Sequence, residues 1–172
     1  MPIRSLVHVR PALFALCLLG VADAAVAEDQ VPVGAVLAAA LERGKYMITT
    51  GHCNNCHTAG YGAKQGQIPE DQWLQGNPVG WRSKAGTVYA PNLRIYVQAM
   101  SLTTWLLAAR NARPRPPMPW WNMRDTSNED LAAMYWYMRS LQPAGAPAPS
   151  FLPPDQPPSP PYNQLPDLSL PR

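Results

Sequence analysis

The sequence predicts an all-α chain, on three observations. From Val36 to about Thr50 apolar side chains recur at three- and four-residue steps: Val36, Leu37, Ala40, Leu41, Met47 and Ile48. A second stretch, Leu102–Ala112, repeats the spacing with Leu102, Trp105, Leu106 and Ala109 on one face. A third, from about Ser127 to Leu141, carries Leu131, Met134, Tyr135, Met138 and Leu141 as its stripe. Between the first and second, residues 58–90 are punctuated by Gly60, Gly62, Gly66, Pro69, Gly76, Pro78, Gly80 and Gly86. That middle reads as loops with short helices or none.

The chain of 172 residues opens with Arg4 and Arg10 ahead of an apolar run from Ala12 to Val21. Small residues come next, ending Ala25-Val26-Ala27. This is the pattern of a secretory signal peptide over residues 1–27, cut after Ala27, and it predicts a periplasmic protein. The run is shorter than the roughly 20 residues a membrane span needs, so no span is expected in the mature chain. Cys17 lies inside the run behind Leu16, not behind the small residue that precedes a lipoprotein cysteine. The formal net charge of +3 is too small to suggest nucleic acid as a partner.

The first expected helix contains Gly44, which costs helix stability relative to alanine. Two readings stand: close approach of another helix backbone, or a simple helix break. Just beyond this helix the chain reads Cys53-Asn54-Asn55-Cys56-His57. Cys-x-x-Cys-His is the attachment motif of c-type haem. On a helical turn its two sulfurs lie along one porphyrin edge and can add to the two vinyl groups. His57 then falls beneath the iron as proximal ligand. Removal of residues 1–27 leaves Cys53 and Cys56 as the only cysteines, so one haem c would use both. Three alternatives are weaker. A thioredoxin-like redox pair wants a preceding strand, and Leu41 to Thr50 does not read as one. A zinc site wants about four ligands, and His52 and His57 flank the same turn. A plain Cys53–Cys56 disulfide is compatible with export.

After the motif, Trp73 and Trp81 are the large anchors. They read as packing over loops, or as indole donors to a haem propionate. Ala90-Pro91-Asn92-Leu93 reads as a turn. Ser101 is the expected N-cap of the second helix, and Arg113-Pro114-Arg115-Pro116-Pro117 ends it. Thr126 to Glu129 has capping-box spacing ahead of the last helix, and Pro143 closes that helix. Residues 143–172 hold eleven prolines. This tail is expected to be extended, polyproline-like and surface-lying. It either wraps the domain, engages a partner or is passive.

An iron held by His57 needs an account of its other face. His8 leaves with the signal, and His52 is on the wrong side of the turn. Methionine, water or an open position remain. Met118, between Pro117 and Pro119, is the leading candidate because the prolines restrict the loop before folding. Met123 is the runner-up. Met134 and Met138 read as helix core, and Met100 has no comparable loop.

With these residues in place, the stretch from about Leu37 to Gln142 resembles the class I cytochromes c. Gly44 and Tyr46 before the motif resemble that family's opening helix. Tyr135, Trp136 and Tyr137 resemble its closing one. Pro91-Asn92-Leu93 resembles the segment whose proline carbonyl bonds the proximal histidine, Pro69 being the weaker holder of that role. Met118-Pro119 resembles the axial-ligand loop. The closest likeness is to cytochrome subunits of periplasmic dehydrogenases. The resemblance implies a cytochrome c-like fold over residues 37–142, with crossing N- and C-terminal helices around one haem. It implies Cys53, Cys56, His57, Pro91, Asn92 and Met118 as the cofactor's surroundings. It also implies single-electron transfer rather than catalysis, to or from a periplasmic redox partner such as a dehydrogenase or oxidase. Arg110, Arg113 and Arg115 would form a basic docking rim, or a solvated face. The alternative is a five-coordinate haem protein that binds a small gas or acts as a peroxidase-like enzyme. The Arg/Pro-rich approach to Met118 and the Pro-rich tail depart from the family's pattern.

Overall fold

The computed structural model describes residues 33–166. The expected signal peptide and its cleavage site after Ala27 lie outside the described residues, as do residues 167–172 of the tail.

Helix α1 spans Val33–Thr50. Its N-terminal half is bare: Val33, Val36 and Leu37 are exposed, so the apolar face expected from the spacing is covered only from Ala40 onward. Gly44 and Ile48 are its fully buried residues. Helix α6, Asn128–Ser140, crosses α1 at Gly44, and this is the most extensive contact between elements. A Cβ on Gly44 would meet the Ala133 carbonyl oxygen and come within 2.6 Å of the Tyr137 Cβ. Gly44 is therefore a crossing glycine inside an unbroken helix. Its missing side chain lets two backbones touch, and that offsets its low helix propensity.

Helix α4, Leu102–Asn111, buries Trp105 and Ala109 against the same core. The Trp105 indole donates to the Leu131 carbonyl at 2.7 Å. Ser101 caps α4 by accepting from the Thr104 amide. The cap of α6 falls one residue later than the capping-box spacing suggests: Ser127 Oγ accepts from the Asp130 amide at 3.1 Å. Two helices were not legible in the sequence. Helix α3, Leu93–Gln98, starts where a turn was expected, and helix α5, Trp120–Asp125, comes directly after the Met118 loop. The core joins Ile48, Leu74, Val97, Trp105, Leu131, Met134, Tyr135 and Met138. Each large apolar side chain buried there contributes about 1.5–3 kcal/mol.

The expected all-α, cytochrome c-like fold is corrected by a three-stranded mixed sheet, with residues 80–83 in the middle, 86–88 on one side and 162–164 on the other. Strands β1, Gly80–Ser83, and β2, Gly86–Val88, form an antiparallel hairpin with Arg82 opposite Thr87. Gly86 closes the turn at φ +118, a conformation L side chains rarely adopt. Strands of three or four residues are too short to show a period of two, so glycine punctuation masked them as loop.

The third strand comes from the tail. Strand β3, Tyr162–Gln164, runs parallel to β1 on its outer edge. Before reaching it, the tail pairs Leu152 with Thr87 on the outer edge of β2, through two backbone hydrogen bonds of 2.8 and 3.0 Å. Between the two, the Arg82 guanidinium donates to the carbonyls of Pro153, Pro154 and Gln156. The tail thus wraps both edges of the hairpin. Its prolines lie outside the paired residues, where a missing amide costs no ladder bond.

Candidate haem-attachment site

The motif forms its own helical turn, α2, Cys53–His57. His52 precedes it in a left-handed conformation and is exposed, whereas His57 is buried. Cys53 and Cys56 are half-buried free thiols, not a disulfide. Burial pushes the Cys53 thiol up to about 11 and raises that of Cys56. A thioredoxin-type pair needs the opposite, a lowered thiol that supplies thiolate. Both thiols lie on one helical turn, the placement the attachment motif requires.

His57 is buried. Its Nδ1 lies 2.8 Å from the Pro91 carbonyl oxygen. A carbonyl can only accept, so Nδ1 carries the proton and the Nε2 lone pair is left free. Burial is the main cause lowering the imidazole pKa, with the Pro91 carbonyl acting in the other direction. The ring is therefore a neutral imidazole with one nitrogen tied and the other available, the state in which histidine binds a metal.

The Pro91 carbonyl is itself held in place. Asn92 accepts from the Ile95 amide as N-cap of α3. Its Nδ2 donates to Ala144 O at 2.8 Å and Ala146 O at 3.2 Å, where the tail begins. On the other side, the strap from Leu74 to Asn77 lies between the motif and Pro91. The Gly76 amide donates to His57 O at 2.8 Å, and the Asn77 amide donates to Ala90 O. A Cβ on Gly76, at φ +85, would sit 3.0 Å from the Asn92 nitrogen. Thr58 completes the frame: its hydroxyl donates to Asn54 Oδ1 at 2.7 Å and accepts from the Leu74 amide at 2.8 Å. Asn54 Nδ2, buried inside the motif, has no hydrogen-bond partner among the described residues.

The remaining candidates separate. Met123, on α5, packs against the hydrophobic core. Met118 precedes α5, is half-buried and stands outside that cluster. Met134 and Met138 are core residues. The Trp73 indole N–H is spent on the Ile68 carbonyl at 2.8 Å. Of the three arginines before Met118, Arg110 donates to Asn128 Oδ1 at 2.7 Å and to the Arg124 carbonyl, bracing α4 against α5 and α6. Arg113 stacks on Trp120 at 4.2 Å and Arg115 on Phe151 at 4.1 Å. Sequence reasoning missed these aromatic partners, because each meets its arginine only through the fold.

Among the described residues, no group of three or more His, Cys, Asp or Glu side chains is placed to hold a metal ion together. No described helix is long and apolar enough to cross a membrane. No family model, curated protein or solved structure matches the chain.

Proposed function

We propose that this protein carries single electrons through one haem c, which Cys53, Cys56 and His57 would hold with Met118 as a further iron ligand. The observation that carries the reading is the His57–Pro91 hydrogen bond inside a Cys-x-x-Cys-His turn. That bond selects the tautomer that leaves Nε2 free, as the outer hydrogen bond of a metal-ligating histidine does, and it does so within the attachment motif. The bound group would supply the redox change, its iron alternating between ferric and ferrous forms. The chain's residues do the rest. Cys53 and Cys56 would hold the group covalently, and His57 Nε2 would offer its lone pair. The Pro91 carbonyl holds the Nδ1 proton, which raises the ring's basicity and keeps its orientation during turnover. Met118 offers a thioether from a loop that Pro117 and Pro119 restrict. It is free of the packing duty that Met123 carries. The likeness to class I cytochromes c supports export to the periplasm and a dehydrogenase or oxidase as partner.

The test is a visible spectrum of the protein made with a c-type maturation system. A covalently bound, low-spin haem with a far-red sulfur-to-iron band is expected in the oxidised protein. The band is expected to disappear in Met118→Ala and to persist in Met123→Ala. A high-spin spectrum with ready carbon monoxide binding would replace this reading with the five-coordinate one. Absence of covalent haem would end both.

A further inference from the structure

The tail, the hairpin turn and the Met118 loop meet at one point. Phe151 lies just before the Leu152–Thr87 bridge. One side of its ring lies over Gly86, where a Cβ would come within 2.6 Å of the ring carbon Cζ. The Arg115 guanidinium stacks on the ring at 4.1 Å. Arg115 is three residues before Met118 in Arg-Pro-Arg-Pro-Pro-Met-Pro, a segment whose prolines transmit position stiffly along the chain. Just beyond Met118, Trp120 is covered by Arg113 at 4.2 Å and Arg124 at 5.4 Å. Phe151 is 37% exposed and sits on neither the α1–α6 seam nor the core cluster, so core packing does not account for its place.

We infer that Phe151 is a positioning residue for the axial methionine: seated on Gly86 and stacked under Arg115, it clamps the Met118 loop closed. This rests on the Met118 ligand assigned above. The sheet explains why the tail can do it. The Thr87–Leu152 bridge and Arg82's bonds to Pro153, Pro154 and Gln156 pin the tail immediately after Phe151, which fixes where the ring is presented. The hairpin turn accepts it because Gly86 has no side chain. The clamp is the function of an otherwise passive-looking extension: it lowers the fraction of time for which Met118 is off the iron.

Imidazole titration of the oxidised protein measures that fraction. Imidazole binds only when Met118 has left, so its apparent affinity scales with the open population. The expected result is an affinity about two- to fivefold tighter in Phe151→Ala, the range set by one exposed cation–π contact. Phe151→Tyr keeps the ring and stays at the wild-type value. Arg115→Gln leaves the tail and hairpin contacts alone and matches Phe151→Ala. The double variant is no tighter than either single one, because both remove the same contact. Unchanged affinity in Phe151→Ala, or effects that multiply in the double variant, would overturn the clamp. Amide exchange over Met118–Asp125 reads the clamp without reference to the iron; it is expected to quicken in Phe151→Ala, and an unchanged rate would also overturn it. A wild-type protein lacking the sulfur-to-iron band would instead overturn the ligand assignment on which the clamp rests.

Discussion

Gly44→Ala tests the helix crossing. On helix propensity alone the change gains up to about 1 kcal/mol. The crossing opposes it. The new methyl would lie 2.6 Å from the Tyr137 Cβ and closer still to the Ala133 carbonyl. Neither neighbour is the free end of a flexible side chain. Both belong to the backbone or the first side-chain carbon of α6, so relief requires α1 and α6 to separate by about 1 Å. A gap of that size forfeits a quarter to a half of each dispersion contact across the seam. Ile48, Leu131, Met134 and Met138 would share that loss. Overpacking of this kind costs about 1–3 kcal/mol, and with the backbone in the way the upper end applies. The expected net destabilisation is about 2 kcal/mol, a fall in melting temperature of roughly 5–10 °C for a domain of this size. Gly34→Ala is the internal control. It lies on the same helix with nothing within 4 Å of the added Cβ, so it is expected to be neutral or slightly stabilising. Guanidinium unfolding followed by circular dichroism at 222 nm measures both. Equal stability of the two variants would refute the close crossing.

Three further outcomes are expected. Asn92→Ala removes the cap of α3 and both hydrogen bonds to the tail, and should cost about 2 kcal/mol; Asn92→Asp keeps the cap oxygen but turns an acceptor toward the Ala144 and Ala146 carbonyls, and should cost at least as much in the same unfolding assay. Arg94 is 5% exposed and donates to the carbonyls of Leu141, Gln142 and Asp71, so Arg94→Met should cost about 3 kcal/mol by leaving them unpaired. A cost under about 1 kcal/mol would show that water replaces the guanidinium at the end of α6. The Glu70 carboxylate is held below its ordinary value of 4.5, first by its hydrogen bond from Lys45 and further by the Tyr137 hydroxyl. A carboxylate depressed in the folded state stabilises it above the ordinary value, and the gain is lost as pH falls from there through the folded value. The stability gap between wild type and Glu70→Gln should thus be present at pH 7 and shrink below about pH 4.5. It should also shrink with salt, since both charged side chains are 40% exposed. A gap that ignores pH would show that Glu70 contributes only as a hydrogen-bond acceptor.

The helices were readable because their signals are local. Ser101 caps α4 where the sequence places a cap, the cap of α6 falls at Ser127 rather than Thr126, and the stripe of α6 turns inward as its spacing indicates. The bare start of α1 shows the limit of that reading: spacing identifies an apolar face, but only the length of α6 decides how much of it is covered. Arg94 shows another limit. A lone arginine in a short helix reads as exposed, and its burial is explained by distant carbonyls: Leu141 and Gln142 nearly fifty residues further along, and Asp71 before it.

By itself the sequence determined what depends on neighbouring residues. It set the Cys-x-x-Cys-His turn, three helices with their approximate limits, and a proline run that cannot form a helix. Only the tertiary structure decided that Gly44 is a crossing, that His57 bonds the Pro91 carbonyl, and that the tail closes a sheet around the 80–88 hairpin. Each of those joins groups more than thirty residues apart. A three-residue strand carries no periodic signal, and it becomes a strand only when a partner edge supplies its hydrogen bonds.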